Sequence, residues 1–258
     1  MNFTIGADPE FFIKDKNEKL KSIIGLLHGG SKHNPVSIDD HGDFKMLEDN
    51  VAAEYNIPPT SDKETFIQNI LYPQEAITAM LHTKNFTISS KASASFPDTE
   101  LKHENAWIFG CEPDYNAWTE EANEKPECPD KNFRSCGGHI HVGYDWKENI
   151  EDIFRKVKNM DVWLGLWSVI KDPDTERKKL YGKAGAFRPK DYGFEYRVLS
   201  NFWIFDPQII SEIFDRTQKA LEENRDFINT EKETIIKIIN EGNQEHARKF
   251  IQYYGLHT

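Results

Sequence analysis

A chain of 258 residues with 43 acidic and 32 basic side chains carries a formal charge of -11. That balance argues against a general grip on nucleic acid or an anionic membrane surface, because both partners demand excess positive charge. No apolar run approaches the ~18 residues needed to span a bilayer, and the strand-like start at Phe3 is unlike a signal peptide, so a soluble cytoplasmic protein is expected. Cys111, Cys128 and Cys136 form no Cys-x-x-Cys pair, which suits a reducing compartment and speaks against a zinc finger. No Pro/Gly/Ser-rich linker divides the chain, so one domain over residues 1–258 is expected, with sheet and site in 1–206 and helices in 207–258.

Phe3 to Lys14 reads as a strand that meets Pro9, a residue tolerated at an edge, a bulge or where regular pairing stops. Asp8 and Glu10 flank that proline and share a face; two such carboxylates repel unless a cation or proton lies between them. A turn from Asn17 leads to Leu20–Leu27, which is expected to pair back as a hairpin. His28 to Lys32 is a glycine-containing loop without the spacing of a phosphate loop. A strand pair is expected around Asp39-Asp40-His41-Gly42. In the next strand Val51, Ala53, Tyr55 and Ile57 face one way and Ala52, Glu54 and Asn56 the other, so Glu54 is presented from mid-strand. Ser61 and Glu64 make a capping-box pattern, predicting a helix to about Leu81 with a disturbance at Pro73.

Residues 86 to 97 alternate like one strand, 109 to 118 form a polar and aromatic loop, and 119 to 132 form a charged surface excursion. Gly137-Gly138-His139-Ile140-His141-Val142-Gly143 then places two imidazoles on one strand face, after glycines that allow a close approach to the backbone. Such a pair is either a ligand set or one ligand beside a structural histidine. Asn149 to Lys171 has the period of a core helix. Arg177, Lys183, Arg188 and Arg197 cluster positive charge within an acidic chain, and Glu195 shares a strand face with Arg197. Two amphipathic helices, about 207 to 227 and 230 to 254, complete the chain.

The strand-borne polar set is therefore Asp8, Glu10, Glu54, His139, His141, Glu195 and Arg197. Mostly oxygen ligands favour Mg²⁺ or Mn²⁺ over zinc. Nearby arginines add the means to neutralise a phosphate, as phosphoryl transfer requires.

Four blocks in order, Gly6-Ala7-Asp8-Pro9-Glu10-Phe11-Phe12, Val51 to Pro59, Gly137 to Gly143 and Glu195-Tyr196-Arg197, resemble the phage-type COOH-NH2 ligase type 2 (amidoligase) family of the glutamine synthetase and glutamate-cysteine ligase superfamily. The resemblance implies an α+β fold in which a curved antiparallel sheet forms a cup with helices on its outer face. It also implies ATP and two or three Mg²⁺ or Mn²⁺ ions. Carried over by residue, Glu10 and Glu54 hold one metal, while Asp8, His139 and Glu195 hold another. Arg197 contacts the substrate carboxylate or acyl phosphate, Arg177 or Arg188 meets ATP phosphates, and Lys183 and His141 join the nucleotide-binding set.

Three features depart from the pattern. Asp8 stands where synthetases carry glutamate, and the second acid expected near Glu54 has only Glu48 or Asp49 as imperfectly spaced candidates. A counterpart of the small N-terminal domain of the synthetases is not expected, so the resemblance does not imply their ring assembly, and the oligomeric state stays open. The function implied is ligation of a small-molecule or peptide carboxylate to an amine through an acyl phosphate, with Asp114 as a candidate for recognising the amine. A binding module without turnover and a two-metal phosphohydrolase use the same kinds of residue and stay open at this point.

Overall fold

The computed structural model describes residues 3–27, 30–31, 34–40, 42–108, 114–124 and 129–257. Its strands are β1 (Thr4–Asp15), β2 (Leu20–Lys21), β3 (Val36–Ser37), β4 (Lys45–Asp49), β5 (Ala52–Asn56), β6 (Phe86–Ser89), β7 (Ser93–Ser95), β8 (Tyr115–Asn116), β9 (Glu121–Ala122), β10 (Phe133–Ser135), β11 (Gly138–Gly143), β12 (Ala186–Lys190) and β13 (Gly193–Tyr196). The helices are α1 (Lys63–His82), α2 (Ile150–Met160), α3 (Leu166–Lys171), α4 (Pro207–Glu222), α5 (Phe227–Thr230), α6 (Lys232–Glu241) and α7 (Gln244–Tyr254). Among the described residues an antiparallel sheet runs β3-β4-β5-β1-β11-β13-β12-β8-β9, with β2 and β6 on the far half of β1, and a separate β10-β7 pair stands beside it. The α+β class with a large antiparallel sheet is thus the one expected.

Side-chain alternation explains which face the long helices cover. On β1 the residues Ile5, Ala7, Phe11 and Ile13 are buried, and across the sheet Ile140, Val142, Phe194, Tyr196 and Phe187 continue the same apolar surface. Burying each large side chain of this kind contributes about 1.5–3 kcal/mol. That surface packs with the helices in one hydrophobic cluster, which includes Phe66 and Ile70 of α1 and Ile210 and Ile213 of α4. The other face carries the polar residues and ends in a second cluster, where Phe12 and Ala52 pack with Val51, Phe96, Leu101, Ala106 and Cys136.

Several local expectations are corrected. Helix α1 is capped by Asp62, whose Oδ1 accepts from the Thr65 N–H at 2.8 Å, and not by a Ser61–Glu64 box. The helix runs without a break through Pro73. Only Leu20–Lys21 of the expected hairpin pairs with β1. Residues 86 to 97 split into β6 on the main sheet and β7 on the small one. The terminal pair of helices is four segments, with Gly242 at φ 66 ending α6 in the left-handed conformation that glycine adopts readily.

The segment 150–171 is helical, with a π turn at Asp161–Gly165. The buried Asp161 carboxylate accepts from Trp118 Nε1 at 2.6 Å, the Gly185 N–H at 2.6 Å and the Tyr196 hydroxyl at 2.8 Å. One helix side chain thereby ties β13 to the segments that carry Trp118 and Gly185. Burial pushes this carboxyl up to about 6 against the pull of those three donors.

Candidate metal and phosphate site

Strand register brings the polar residues together. Asp8 lies opposite His139 and Gly6 opposite His141 in the β1–β11 pair. Glu10 lies opposite Glu54 in β1–β5, His141 opposite Glu195 in β11–β13, and Arg188 opposite Glu195 in β12–β13. Directly paired residues point to the same face, so these five strands present one continuous polar surface.

Two groups of ligand atoms converge there, Asp8-His141-Glu195 and Glu10-Asp49-Glu54, each with its atoms within 4.8 Å of one another. His139 borders the first, its Nδ1 3.2 Å from Asp8 Oδ1 and 3.4 Å from Glu195 Oε1, while His141 Nε2 is 3.2 Å from Asp8 Oδ2. Despite these distances Asp8 Oδ1, His139 Nδ1 and His141 Nε2 are buried without hydrogen-bond geometry. Buried polar atoms are nearly always satisfied, and a divalent cation is a partner of the right chemistry for a carboxylate and imidazole set. The second group offers three carboxylates, a donor set for a hard ion such as Mg²⁺ or Mn²⁺. Both groups therefore fit a divalent cation, with His141 as well as His139 at the first.

Electrostatics support this fit. Burial would raise the Asp8 carboxyl, but His141 and then His139 outweigh it and hold Asp8 well below the ordinary range. Burial, then Asp49, pushes Glu10 up to about 8. Burial, then Asp8 and Asp49, raises Glu54 well above the usual carboxylate range. Adjacent carboxylates that cannot all ionise invite a cation. Burial lowers His139, whereas Asp8 overcomes burial and raises His141.

The glycine pair before His139 serves the protein's own packing. A Cβ on Gly137 would lie 2.3 Å from His139 Nε2, and one on Gly138 would lie 2.4 Å from Trp203 Nε1. The Gly137 N–H also donates to Glu10 Oε2 at 2.6 Å, which orients that carboxylate.

Three cations gather on the almost fully buried Glu195. Arg197 Nη1 contacts Oε1, while Arg188 Nη1 and Lys190 Nζ lie 3.4 and 3.2 Å from Oε2. Asp114 Oδ2 is 3.9 Å from Arg197 Nε. Arg177 is placed differently: it is 4% exposed and its Nη1 donates to the Val198 carbonyl at 3.1 Å, so it sits as a support near Glu10. Lys183 is exposed in the turn before β12. The loops at 28–32 and 109–113 lie wholly or partly outside the described residues.

Sequence reading missed Lys190 and Tyr192 at this face, and it left Glu48 and Asp49 undecided as the second acid beside Glu54. The two-residue turn Asn50-Val51 pairs Asp49 with Ala52 and Leu47 with Glu54, which puts Asp49 on the Glu54 face and selects it over Glu48. Glu48 faces away, and its carboxylate accepts from the Gly25 and Leu27 N–H groups. Lys190 follows Arg188 by two residues, a period-two signal. Tyr192, whose hydroxyl contacts His141 Nδ1, gave no local signal, and neither did Asp161 on the helix side of the sheet.

Comparison with known proteins gives three results. A search of curated protein sequences finds no match. Among solved structures the chain is similar to a Plasmodium falciparum glutamine synthetase, with 11% identity, TM-score 0.44, and coverage of 86% of this chain and 52% of that one. It is also similar to an apo GmaS, with 10% identity, TM-score 0.46 and coverage of 97% and 65%. A third is a novel glutamine synthase homolog, with 9% identity, TM-score 0.41 and coverage of 97% and 66%. The chain thus spans between 52% and 66% of the length of these proteins. A family model described as "Phage phiEco32-like COOH.NH2 ligase-type 2" matches residues 128–253, a stretch that contains the last two of the four sequence blocks. The family whose model the chain matches is the one its sequence blocks resemble, the phage-type COOH-NH2 ligases of type 2.

Proposed function

We propose that this protein joins a carboxylate to an amine with ATP, through an acyl phosphate and with release of ADP and phosphate. The observation that carries the reading is the juxtaposition, on one sheet face, of two acid-rich groups with Arg188, Lys190 and Arg197. In this reading Glu10, Asp49 and Glu54 hold one Mg²⁺ or Mn²⁺ ion, and Asp8, Glu195 and the histidines hold a second. Such ions supply charge neutralisation at phosphate oxygens. The guanidinium groups of Arg188 and Arg197 neutralise charge on the transferred phosphoryl group and hold the acyl phosphate against water. Arg177 supports Glu10 from behind and contributes positive potential to the ATP phosphates, with Lys183 at the rim. Asp114, anchored near Arg197, receives the cationic amine. The substrates are small molecules or peptides, the whole chain acts as one catalytic domain, and the setting is cytoplasmic.

The test is ADP and phosphate release from ATP with Mg²⁺ or Mn²⁺, with and without pooled amines and carboxylates, beside a Glu10→Gln control. Release that depends on both pools and disappears in the variant is expected. Release into water alone would identify a phosphohydrolase, and AMP with pyrophosphate would contradict the acyl-phosphate route. An Asp114→Asn variant is expected to raise the amine KM; an unchanged value removes Asp114 from that role.

A further inference from the structure

His141 approaches the first acid group from one side only, and something must decide which ring nitrogen carries its proton. Its Nε2 is buried and lies 3.2 Å from Asp8 Oδ2, whereas its Nδ1 contacts the hydroxyl of Tyr192. The two rings lie side by side, with centroids 6.0 Å apart and planes inclined by 23°. Tyr192 is no loose surface residue, although its side chain reaches solvent. Its carbonyl accepts from the Tyr144 N–H at 2.9 Å, and the carbonyl of its neighbour Asp191 accepts from Trp146 Nε1 at 2.9 Å. The next residue, Gly193, has φ 146 and no room for a Cβ, which would lie 2.2 Å from the Val142 carbonyl oxygen. The β12–β13 turn is therefore clamped onto the end of β11, and the phenol is held where His141 needs a partner.

We propose that Tyr192 is a positioning residue for His141. Its oxygen accepts the Nδ1–H and leaves Nε2 as a lone-pair donor toward a divalent cation shared with Asp8 and Glu195. A neutral imidazole has one N–H, so the hydrogen bond at one nitrogen fixes what the other offers. Half-exposure lets the tyrosine send its own proton to water and keep its oxygen as an acceptor. Partners of this kind orient a ligating histidine and commonly contribute about 10–100-fold in metal affinity. The inference rests on the metal-binding reading above and adds to it a residue that touches neither metal nor substrate.

The experiment titrates Mn²⁺ into metal-free protein and follows free Mn²⁺ by its EPR signal, for the wild type, Tyr192→Phe and Asp8→Asn. Phenylalanine keeps the ring beside His141 and removes only the hydroxyl. The wild type is expected to show two classes of site, and Tyr192→Phe to weaken one class about 10-fold while leaving the other. Asp8→Asn is expected to weaken that same class. Equal weakening of both classes by Tyr192→Phe would mark a general structural effect and overturn the inference, as would an isotherm within about twofold of wild type while Asp8→Asn loses affinity. A wild type that binds no Mn²⁺ would remove the metal reading and the inference with it. Nitrogen-15 NMR of labelled histidine in the Mg²⁺-loaded protein gives a second readout: a protonated Nδ1 on His141 is expected, and a protonated Nε2 overturns the assignment.

Discussion

Along β1, Ile5, Ala7, Phe11 and Ile13 are buried in the helix-packed core, while their alternating neighbours Asp8 and Glu10 face a surface of carboxylates, imidazoles and guanidinium groups. The first face gathers apolar area and favours folding. The second gathers like charges at strand positions where Glu and Asp are disfavoured, and it opposes folding until counter-charges arrive. The same backbone thus serves two ends, with stability drawn from one side of the sheet and a strained electrostatic arrangement held on the other.

The contrast can be tested by exchanging the expected effects. The largest stability loss is expected from Phe11→Ala, because Phe11 is fully buried and lies 6.2 Å, centroid to centroid, from the Tyr55 ring. A cost of about 3–5 kcal/mol is expected in urea unfolding. A loss below about 1 kcal/mol would mean that this face does not carry the fold.

On the other face, Glu54→Gln keeps the shape of the side chain and removes its negative charge. Metal-free stability is expected to hold or rise, while Mn²⁺ affinity falls at least about 10-fold at one site. A destabilised variant with unchanged metal affinity would reverse the assignment.

The acids also predict a pH dependence. Glu10 has a folded value of about 8 against an ordinary 4.5, with burial as the largest cause. Between those values the folded protein keeps a proton that the unfolded chain has released, so stability falls as pH rises through that window. The raised Glu54 and His141 act with the same sign. His139, lowered from 6.5, opposes them just below that value, and the depressed Asp8 acts only below its ordinary 3.8. The urea midpoint of metal-free protein is therefore expected to decline from pH 5 to 8, and Glu10→Gln or saturating Mn²⁺ is expected to flatten the slope. A midpoint that climbs over this range would contradict the assignment.

The smallest effect is expected at the exposed Lys183. Its replacement by Ala should change ATP affinity by at most about fivefold, the range of a surface ion pair. A larger loss would move Lys183 from the rim into the site.

Much of the polar face was legible in the sequence because period-two alternation is a local property. Asp8 and Glu10, Glu54, and His139 and His141 each declare their face through their own neighbours. Asp49 needed the turn as well as the strand: its place depends on how Asn50-Val51 folds β4 onto β5. Asp161 and Tyr192 were beyond reach because their roles come from contacts between distant segments, such as Asp161 with Trp118 and Gly185, or Tyr192 with His141. Helix ends misled where two caps competed, as at Ser61 and Asp62. The π turn at Asp161–Gly165 was invisible because the apolar period continues through it.

Central to the proposed function is a polar face that serves as a two-site cup for divalent cations beneath ATP. Its most direct test is Mn²⁺ anomalous scattering from crystals of the protein grown with Mn²⁺ and ADP. One peak is expected between Asp8, His141 and Glu195, and a second between Glu10, Asp49 and Glu54. Ordered ADP without a peak at either group, or peaks only at surface carboxylates away from this face, would contradict it.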